Sequence, residues 1–253
     1  MSDHANESDR LPVPVTDYPY WRVVFRPKSY DPELIPSLTD CVKLVEKTRV
    51  RLRGWDFPFW SPHENEHSLR STSIASWANF MGSIEYWELF QSGQFVHLAA
   101  VREATRANWR EKLQEATMSH LGHWGHLKDF DWKAVPGYID ILNSVYTVTE
   151  IFEFAARVCQ AGVYHGPLAI TIELNGVKGY VLTTDFDRSW SEFRAASENH
   201  LGKTWEIASD DLISASAAHS MNAVAWLFER FGWLSPNLTP LNNDQQKFLS
   251  GSR

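Results

Sequence analysis

The chain is poor in cysteine, because its 253 residues include only Cys41 and Cys159. Both lie in apolar patterns typical of helices, where a buried free thiol is the usual state. We therefore predict no disulfide bond and a reducing, cytoplasmic setting. The starting residues MSDHANESDR are polar and contain no apolar segment typical of a secretory signal, which agrees with that setting.

Long apolar runs and an excess of positive charge are also missing. No stretch of about eighteen apolar residues occurs, which excludes a transmembrane helix. The formal net charge is -7 and the pI is about 5.8, so the chain as a whole repels phosphate backbones and anionic membrane surfaces. We expect no membrane partner and no general nucleic-acid binding, although a local basic patch remains compatible with these totals.

Several catalytic signatures do not occur. The sequence has no G-x-S-x-G, P-loop or Rossmann glycine pattern, so nothing predicts a serine hydrolase or a nucleotide cofactor. Neither cysteine lies in an electropositive motif that would activate a thiol. We predict no cofactor, and a function that is more readily non-catalytic than enzymatic.

Aromatic residues, by contrast, are abundant: 12 Trp, 14 Phe and 8 Tyr. Each buried indole N–H needs an acceptor, so tryptophan favours partly wet positions, clefts and interfaces. The number of tryptophans exceeds what a core of this size normally uses. We predict that part of this surplus lines a surface for a ligand or a protein partner.

The strongest strand pattern lies in residues 71–101. Three apolar, aromatic-rich runs are separated by Met81-Gly82-Ser83 and by Ser92-Gly93, which predicts an antiparallel meander. Tyr86 and Trp87 point to opposite faces, so both faces carry large apolar groups. Such a sheet must be covered on both sides or must offer one side to a ligand or partner.

The remaining elements follow from periodicity and turn signals. Asn175-Gly176, between alternating apolar residues, predicts a two-residue type I′ hairpin. Ser209 is predicted to cap a long helix. The sequence predicts strands at 18–27 and 203–208, and a short strand or strand end from Arg49 that is broken at Gly54 and again at Pro58. It also predicts helices at 31–48, 104–122, 141–159 and 209–231, and a hairpin at 167–184.

Together these elements predict the α+β class, with an antiparallel, aromatic-rich sheet packed by two or three long helices. Residues 1–17 are predicted to form a flexible tail, and residues 234–253 a C-terminal tail with a final turn at 245–249. Between them we predict a single α+β domain at 18–233. A two-part build, 18–135 and 136–233, is an alternative.

Two histidine groups could bind a metal. His63-Glu64-Asn65-Glu66-His67 matches the letters of the zinc motif H-E-x-x-H, although its flanks lack the apolar stripe that would hold a zinc helix. His120, His123 and His126 lie in an irregular segment with Asp129 and Asp131, and in a loop these side chains could converge on a metal. The alternatives are a solvated polar loop at 63–67 and a tryptophan-rich lid at 120–126.

A compact basic and aromatic stretch follows the first predicted helix. Arg49, Arg51 and Arg53 alternate before Trp55, so the arginines would share one face of a strand and could bind an anion, a phosphate or an unstacked base. An edge strand with a solvated charged face is the alternative. The candidate ligand-binding residues are Arg51, Arg53, Trp55, Trp87 and Gln94.

Two segments carry a resemblance to a known group. LRGWDFP at 52–58 and YWELFQSGQF at 86–95 resemble segments of uncharacterised bacterial proteins, some of which carry them beside Schlafen-type AlbA_2 regions. The likeness extends loosely through 150–158 and 227–233. It implies a bacterial, intracellular module and assigns no catalytic residue.

The sequence therefore favours a non-catalytic ligand-sensing or protein-interaction module, as part of a bacterial regulatory or defence assembly. A metal-dependent hydrolase using His63 and His67, or the 120–126 histidines, is the alternative. A second alternative is single-stranded nucleic-acid binding through Arg51, Arg53 and Trp55.

Overall fold

The computed structural model describes residues 11–114, 134–183 and 194–251. The strands are β1 (Tyr20–Pro27), β2 (His67–Leu69), β3 (Ser73–Phe80), β4 (Ser83–Phe90), β5 (Phe95–Ala100), β6 (Tyr138–Asp140), β7 (Leu168–Asn175), β8 (Val181–Thr183), β9 (Arg194–Ala195) and β10 (His200–Ile207). The helices are α1 (Leu38–Thr48), α2 (Ile141–Gln160), α3 (Ser209–Arg230) and α4 (Leu238–Ser250), and residues 109–114 are also helical.

Seven strands form the main sheet, in the order β10-β7-β1-β5-β4-β3-β2. Every neighbouring pair in it is antiparallel. The predicted meander is confirmed as β3, β4 and β5, with left-handed backbone at Met81, Gly82 and Gly93 in its turns. The α+β class with an antiparallel, aromatic-rich sheet is therefore correct.

The two faces of this sheet are covered differently. One face carries Trp21, Phe25 and Trp87, and it packs into the main core against α1, α2 and α3. The opposite face carries Tyr86 and Leu98, against which the apolar residues of the N-terminal segment pack. Those residues include Val13 and Val15, both buried, so residues 11–17 are an ordered part of the structure where the sequence predicted a flexible tail.

Helix α2 packs against the face of the sheet that carries Trp21, Phe25 and Trp87, and it forms the centre of the core. Asp140 caps it, because its carboxylate accepts a hydrogen bond of 2.6 Å from the backbone N–H of Asn143. Apolar residues such as Val148, Phe152 and Ala155 recur at helical spacing and are buried. The helix predicted at 141–159 is confirmed with nearly the same bounds.

The predicted hairpin at 167–184 is wrong. Strand β7 pairs with β1 on one side and β10 on the other, whereas β8 pairs with β6 and β9 in a separate three-stranded sheet. The chain does turn at Gly176, which has a φ of +77°, but Gly176 N–H bonds to the carbonyl of Asn199. An Asn-Gly turn determines only that the chain reverses direction locally. Which strands pair with β7 depends on its burial between β1 and β10.

The segments flanking α3 also differ from the sequence prediction. The N-cap of α3 is Ala208, which has no side chain that could cap the helix. Ser209 is the first residue of the helix, and its hydroxyl donates to the carbonyls of Tyr164 and Gly166 instead of capping. Residues 238–250 form α4, where only a turn was predicted. Gln245 of α4 is buried, and its side-chain amide donates to Thr149, Ala217 and Ser220.

One further prediction covers a segment that the structure shows in part. Residues 104–108 are turns and residues 109–114 are helical, so the helix predicted from Ala104 begins later; residues 115–122 lie outside the described ranges. In the described segments, no helix is long and apolar enough to cross a membrane.

Candidate functional site: the Trp55 cleft

The basic and aromatic stretch is a closed loop, which we call the Trp55 loop (residues 50–57). Val50 and Phe57 exchange two backbone hydrogen bonds of 2.8 Å, so only an isolated bridge forms where a strand was predicted. Gly54 at the tip has a φ of +90°, a conformation that favours glycine. The loop turns the arginine side chains in different directions instead of aligning them on one face.

Each arginine of this stretch has a carboxylate partner. Arg49 and Arg51 both pair with Asp56, at 2.7 Å in the case of Arg49. Arg53 extends inward, and its Nε lies 2.9 Å from Oε2 of Glu150 on α2. These ion pairs neutralise most of the positive charge that the sequence pattern suggested for this surface.

Arg53 is also fixed by two polar residues that lie one and two turns before Glu150 on α2. Its guanidinium donates to Oδ1 and the carbonyl oxygen of Asn143, and to Oγ1 of Thr147 at 2.8 Å. Asn143, Thr147 and Glu150 recur at spacings of four and three, so they lie on one face of the helix. The Trp55 loop is thereby attached to the first turns of α2.

A cleft of about 80 Å³ lies between the Trp55 loop, the ends of β4 and β5, and α2. This volume suits several water molecules or a small organic group. The lining combines aromatic rings with ionisable groups from three elements of the fold. The lining residues include Trp21, Arg53, Trp55, Phe57, Glu85, His97, Arg102, Asn143, Thr147 and Glu150.

His97 and Glu85 form a pair on the floor of this Trp55 cleft. His97 Nε2 lies 2.8 Å from Glu85 Oε2, across neighbouring strands of the sheet. The carboxylate favours the tautomer with its proton on Nε2, which leaves Nδ1 as an acceptor. His97 is 3% exposed, and its Nδ1 has no hydrogen-bond partner in the described part of the chain.

Glu150 presents a second unpartnered acceptor. It is 3% exposed, and while Oε2 contacts Arg53, Oε1 has no hydrogen-bond partner among the described residues. Burial raises the pKa of Glu150 to about 7; the charge of Arg53 acts to lower it, and that of Glu85 to raise it. Near neutral pH this carboxyl can therefore be either an acceptor or a proton donor.

A second buried carboxyl lies behind the cleft. Glu103 accepts a hydrogen bond of 2.8 Å from Nδ2 of Asn143, the residue that also contacts Arg53. Burial raises the pKa of Glu103 to about 7, and the charge of Asp140 acts in the same direction. Two carboxyls with raised pKa values thus lie within one hydrogen-bonded network, a pattern that is concentrated at functional sites.

Arg102 and Trp55 form the mouth of the cleft. The guanidinium carbon of Arg102 lies 4.8 Å from the centroid of the Trp55 ring. Partial burial lowers the pKa of Arg102, and the positive charges of Arg106 and Arg53 add to the effect. Arg102 forms no ion pair with a carboxylate of the described residues, unlike Arg49, Arg51 and Arg53.

The structure therefore places only part of the predicted ligand set together. Arg53 and Trp55 line the cleft, whereas Arg51 is directed to Asp56 on the outside. Trp87 is fully buried in the core and donates to the carbonyl of Phe59. Gln94 lies in the turn before β5, outside the residues that line the cleft.

The H-E-x-x-H letters at 63–67 do not form a helix. Glu64–Glu66 is a single 3-10 turn, and His67 belongs to β2, where its ring stacks on Trp60 at 4.4 Å. His63 is exposed. His120, His123 and His126 lie outside the described residues, and within the described ones no group of three His, Cys, Asp or Glu side chains could hold a metal ion.

Sequence reasoning did not connect Glu85, His97 and Glu150, which give the cleft its chemistry. Glu85 and His97 lie in strands of the meander at positions facing the core, where apolar residues are the rule. An ionisable residue at a core-facing strand position was the available signal. For Glu150 the signal in the sequence was weaker, because this residue lies beside the apolar stripe of α2.

A larger cavity, about 290 Å³, lies where β7, α2 and α3 meet, lined by Cys159, His165, Ser209 and Asp210 among others. Burial raises the pKa of Cys159 to about 11, which leaves the thiol protonated. The Ser209 hydroxyl is already used by Tyr164 and Gly166. This cavity therefore offers less chemistry than the Trp55 cleft.

Comparison with known proteins gives no independent assignment: no family model, no curated protein and no solved structure matches the chain.

Proposed function

We propose that this protein is a ligand-sensing module, and that a small polar molecule binds in the Trp55 cleft. One observation carries the proposal: three buried side-chain atoms of residues that line the cleft, Nδ1 of His97, Oε1 of Glu150 and Nε of Arg53, have no hydrogen-bond partner in the described chain, and the first two are acceptors. Buried polar atoms in native proteins are nearly always hydrogen-bonded, so a group of them in the lining of one cleft supports a bound polar group.

The surroundings support binding more than catalysis by a known motif. Arg102 lies over Trp55 at the mouth, where a cation and a ring provide charge and a flat apolar contact. The nearby arginines are held by Asp56 and Glu150, so a phosphate backbone would have to compete with existing ion pairs. A small ligand fits this arrangement better than a nucleic-acid strand.

The cleft also suggests how binding could be sensed. One wall is the Trp55 loop, which is joined to α2 through Arg53, Glu150 and Asn143. A ligand that bonds to Glu150 changes the charge that Arg53 faces. Binding would therefore alter how firmly the loop is held, and a partner could recognise that difference.

We propose that the module is part of a bacterial regulatory or defence assembly in a reducing cytoplasm. The resemblance in residues 52–58 and 86–95 supports the first part. The two buried free thiols, Cys41 and Cys159, support the second.

Thermal unfolding with a compound panel tests the proposal. The panel contains small carboxylates, phosphates, amines, amino acids and nucleosides, and each is added to the wild-type protein, to Arg102→Ala and to Arg230→Ala. Arg230 is the matched control, because its guanidinium also lies over a tryptophan, Trp226, outside the cleft. A compound at about one hundred times its Kd should stabilise by about 2.7 kcal/mol, and hence raise Tm by several degrees.

We expect at least one compound to raise Tm in the wild type and in Arg230→Ala, with a clearly smaller shift in Arg102→Ala. The proposal is wrong if no compound raises Tm. It is equally wrong if every stabilising compound acts on Arg102→Ala as strongly as on the wild type, because binding would then lie elsewhere.

A further inference from the structure

The distribution of charge within the Trp55 cleft indicates which small molecules it can hold. The floor contains the carboxylates of Glu85 and Glu150, with Arg53 paired to Glu150. His97 adds an acceptor nitrogen to the same floor. The mouth contains Arg102, which forms no ion pair with a carboxylate of the described chain, although the charge of Glu103 offsets part of its own. The cleft is therefore acidic and acceptor-rich inside and positive at its entrance.

The floor selects for a hydrogen-bond donor. Nδ1 of His97 is an acceptor as long as Glu85 holds the proton on Nε2, and ionised Glu150 has a free acceptor in Oε1. Both side chains are 3% exposed, so a group that reaches them leaves water. An ammonium group offers N–H donors to such acceptors and also compensates the negative charge of Glu85.

The mouth selects for an anion. Arg102 is half-buried and stacked on Trp55, so part of the cost of desolvating and orienting its guanidinium is already met in the unbound protein. A guanidinium in such a position binds a carboxylate through two parallel hydrogen bonds. Since Trp55 covers one face of the guanidinium, a ligand would meet its edge.

Building on the proposed binding site, we propose that the ligand is a small zwitterion, with an ammonium group at His97 and Glu150 and a carboxylate at Arg102. The cleft volume of about 80 Å³ limits it to a compact molecule of the size of a simple amino acid. A purely anionic ligand would meet Glu85 and Glu150 at the floor. A purely cationic ligand would leave Arg102 without an anion.

Calorimetric titration with matched probes tests this inference. The zwitterionic probes are glycine, β-alanine and γ-aminobutyrate, which separate the ammonium from the carboxylate by increasing distances. Butyrate and butylamine are the one-ended controls, because each keeps the chain length of γ-aminobutyrate and removes one charged group. We expect one of the three zwitterions to bind at least about tenfold more tightly than both one-ended probes.

Two substitutions test which residue binds the carboxylate of the ligand and which binds its ammonium group. Arg102→Ala should remove the advantage of the zwitterion over butylamine, because the carboxylate of the zwitterion then has no cation to pair with. Glu150→Gln should reduce its advantage over butyrate, because the ammonium then keeps only Glu85 as a counter-charge. Arg230→Ala should leave both preferences unchanged.

The outcomes separate the two proposals. If butyrate or butylamine binds as tightly as the zwitterions, or if only another compound of the panel binds in an Arg102-dependent manner, the zwitterion assignment is overturned and the ligand-sensing proposal stands. If no probe and no panel compound binds, both are overturned.

Discussion

Arg53 and Glu150 form an ion pair between the Trp55 loop and the middle of the central helix, with Nε 2.9 Å from Oε2. The side chains are only 12% and 4% exposed. The pair is therefore removed from water, where a charge without its partner is expensive. It joins parts of the chain that are distant in sequence and fixes one wall of the cleft.

Removing Arg53 should destabilise the fold in a pH-dependent manner. Arg53→Ala leaves Glu150 buried without a counter-charge, which should lower the free energy of unfolding by about 3–5 kcal/mol when the carboxyl is ionised. The folded-state pKa of Glu150 is already raised to about 7, and the loss of Arg53 raises it further. Below the unfolded-state pKa of Glu150 the carboxyl is protonated in both states and costs no stability. As pH rises above that value the free energy of unfolding falls, so the loss caused by Arg53→Ala should be larger at pH 8 than at pH 5.

Urea unfolding at these two pH values measures the effect. Arg51→Ala is the control, because Arg51 is 62% exposed and its pair with Asp56 should contribute less than about 1 kcal/mol. Equal losses in the two variants, or a loss for Arg53→Ala that is independent of pH, would contradict the assigned role.

Glu103 gives a second pH prediction, in which the variant is more stable than the wild type at high pH, whereas Arg53→Ala is less stable. Burial raises its folded-state pKa to about 7, so its contribution to stability is full below the unfolded pKa and declines as pH rises through 7. Glu103→Gln keeps an oxygen for the Asn143 hydrogen bond and removes the ionisation. We expect the variant to be more stable than the wild type at pH 8, by a few kcal/mol, and close to it at pH 5.

Unfolding midpoints of Glu103→Gln between pH 5 and pH 8 check this expectation. The exposed Glu198 supplies the matched substitution, Glu198→Gln, which should follow the wild-type curve. A Glu103→Gln curve with the wild-type pH dependence would show that the buried carboxyl does not titrate in this range.

Local patterns were sufficient for much of the fold. Alternation in residues 71–101 and the helical stripe of α2 reflect which side of each element is buried, so both were read correctly from the sequence. The partners of β7 were not, because Asn175 and Gly176 specify a reversal and contain no information about which strands lie beside β7. Helix α4 was missed because two of its buried positions are Asp244 and Gln245, which look exposed in a polar sequence.

The cleft shows the same limit. Arg53 and Trp55 were identified because they are neighbours in the chain, and short basic-aromatic segments are visible in a sequence. Their partners Glu85, His97 and Glu150 come from two strands and a helix. Only the sheet register and the packing of α2 bring them together, and no spacing rule connects them.

Gln245 should be essential for docking of α4. Its side-chain amide donates to Thr149 Oγ1 at 3.0 Å, to the carbonyl of Ala217 at 3.1 Å and to Ser220 Oγ at 2.6 Å. Gln245→Ala removes the donor from the buried hydroxyls of Thr149 and Ser220, which keep only the bonds that they themselves donate to Val145 and Ala217, and this should cost roughly 1–3 kcal/mol of unfolding free energy. The adjacent Gln246 is exposed, so Gln246→Ala should change stability by less than about 0.5 kcal/mol in the same denaturation experiment. Similar values for the two alanine variants would mean that α4 does not depend on this contact.

The two cysteines should differ in how they react, although both are buried. Burial raises the pKa of Cys41 and of Cys159 to about 11, so at pH 8 roughly one thiol in a thousand is ionised and a disulfide reagent should react slowly with the native protein. Cys41 has no exposed surface, so its reaction must follow opening of the structure. Cys159 lines the 290 Å³ cavity beside Ser209, which gives a small reagent a direct route.

The variants Cys41→Ser and Cys159→Ser isolate the two rates. In increasing urea below the unfolding transition, the rate of Cys41 should rise with the unfolded population, whereas the rate of Cys159 should begin as a urea-independent plateau. Rapid labelling of both thiols in native buffer would contradict the burial of the core around α1 and α2. A Cys159 rate that follows unfolding as closely as that of Cys41 would show instead that the cavity does not admit the reagent.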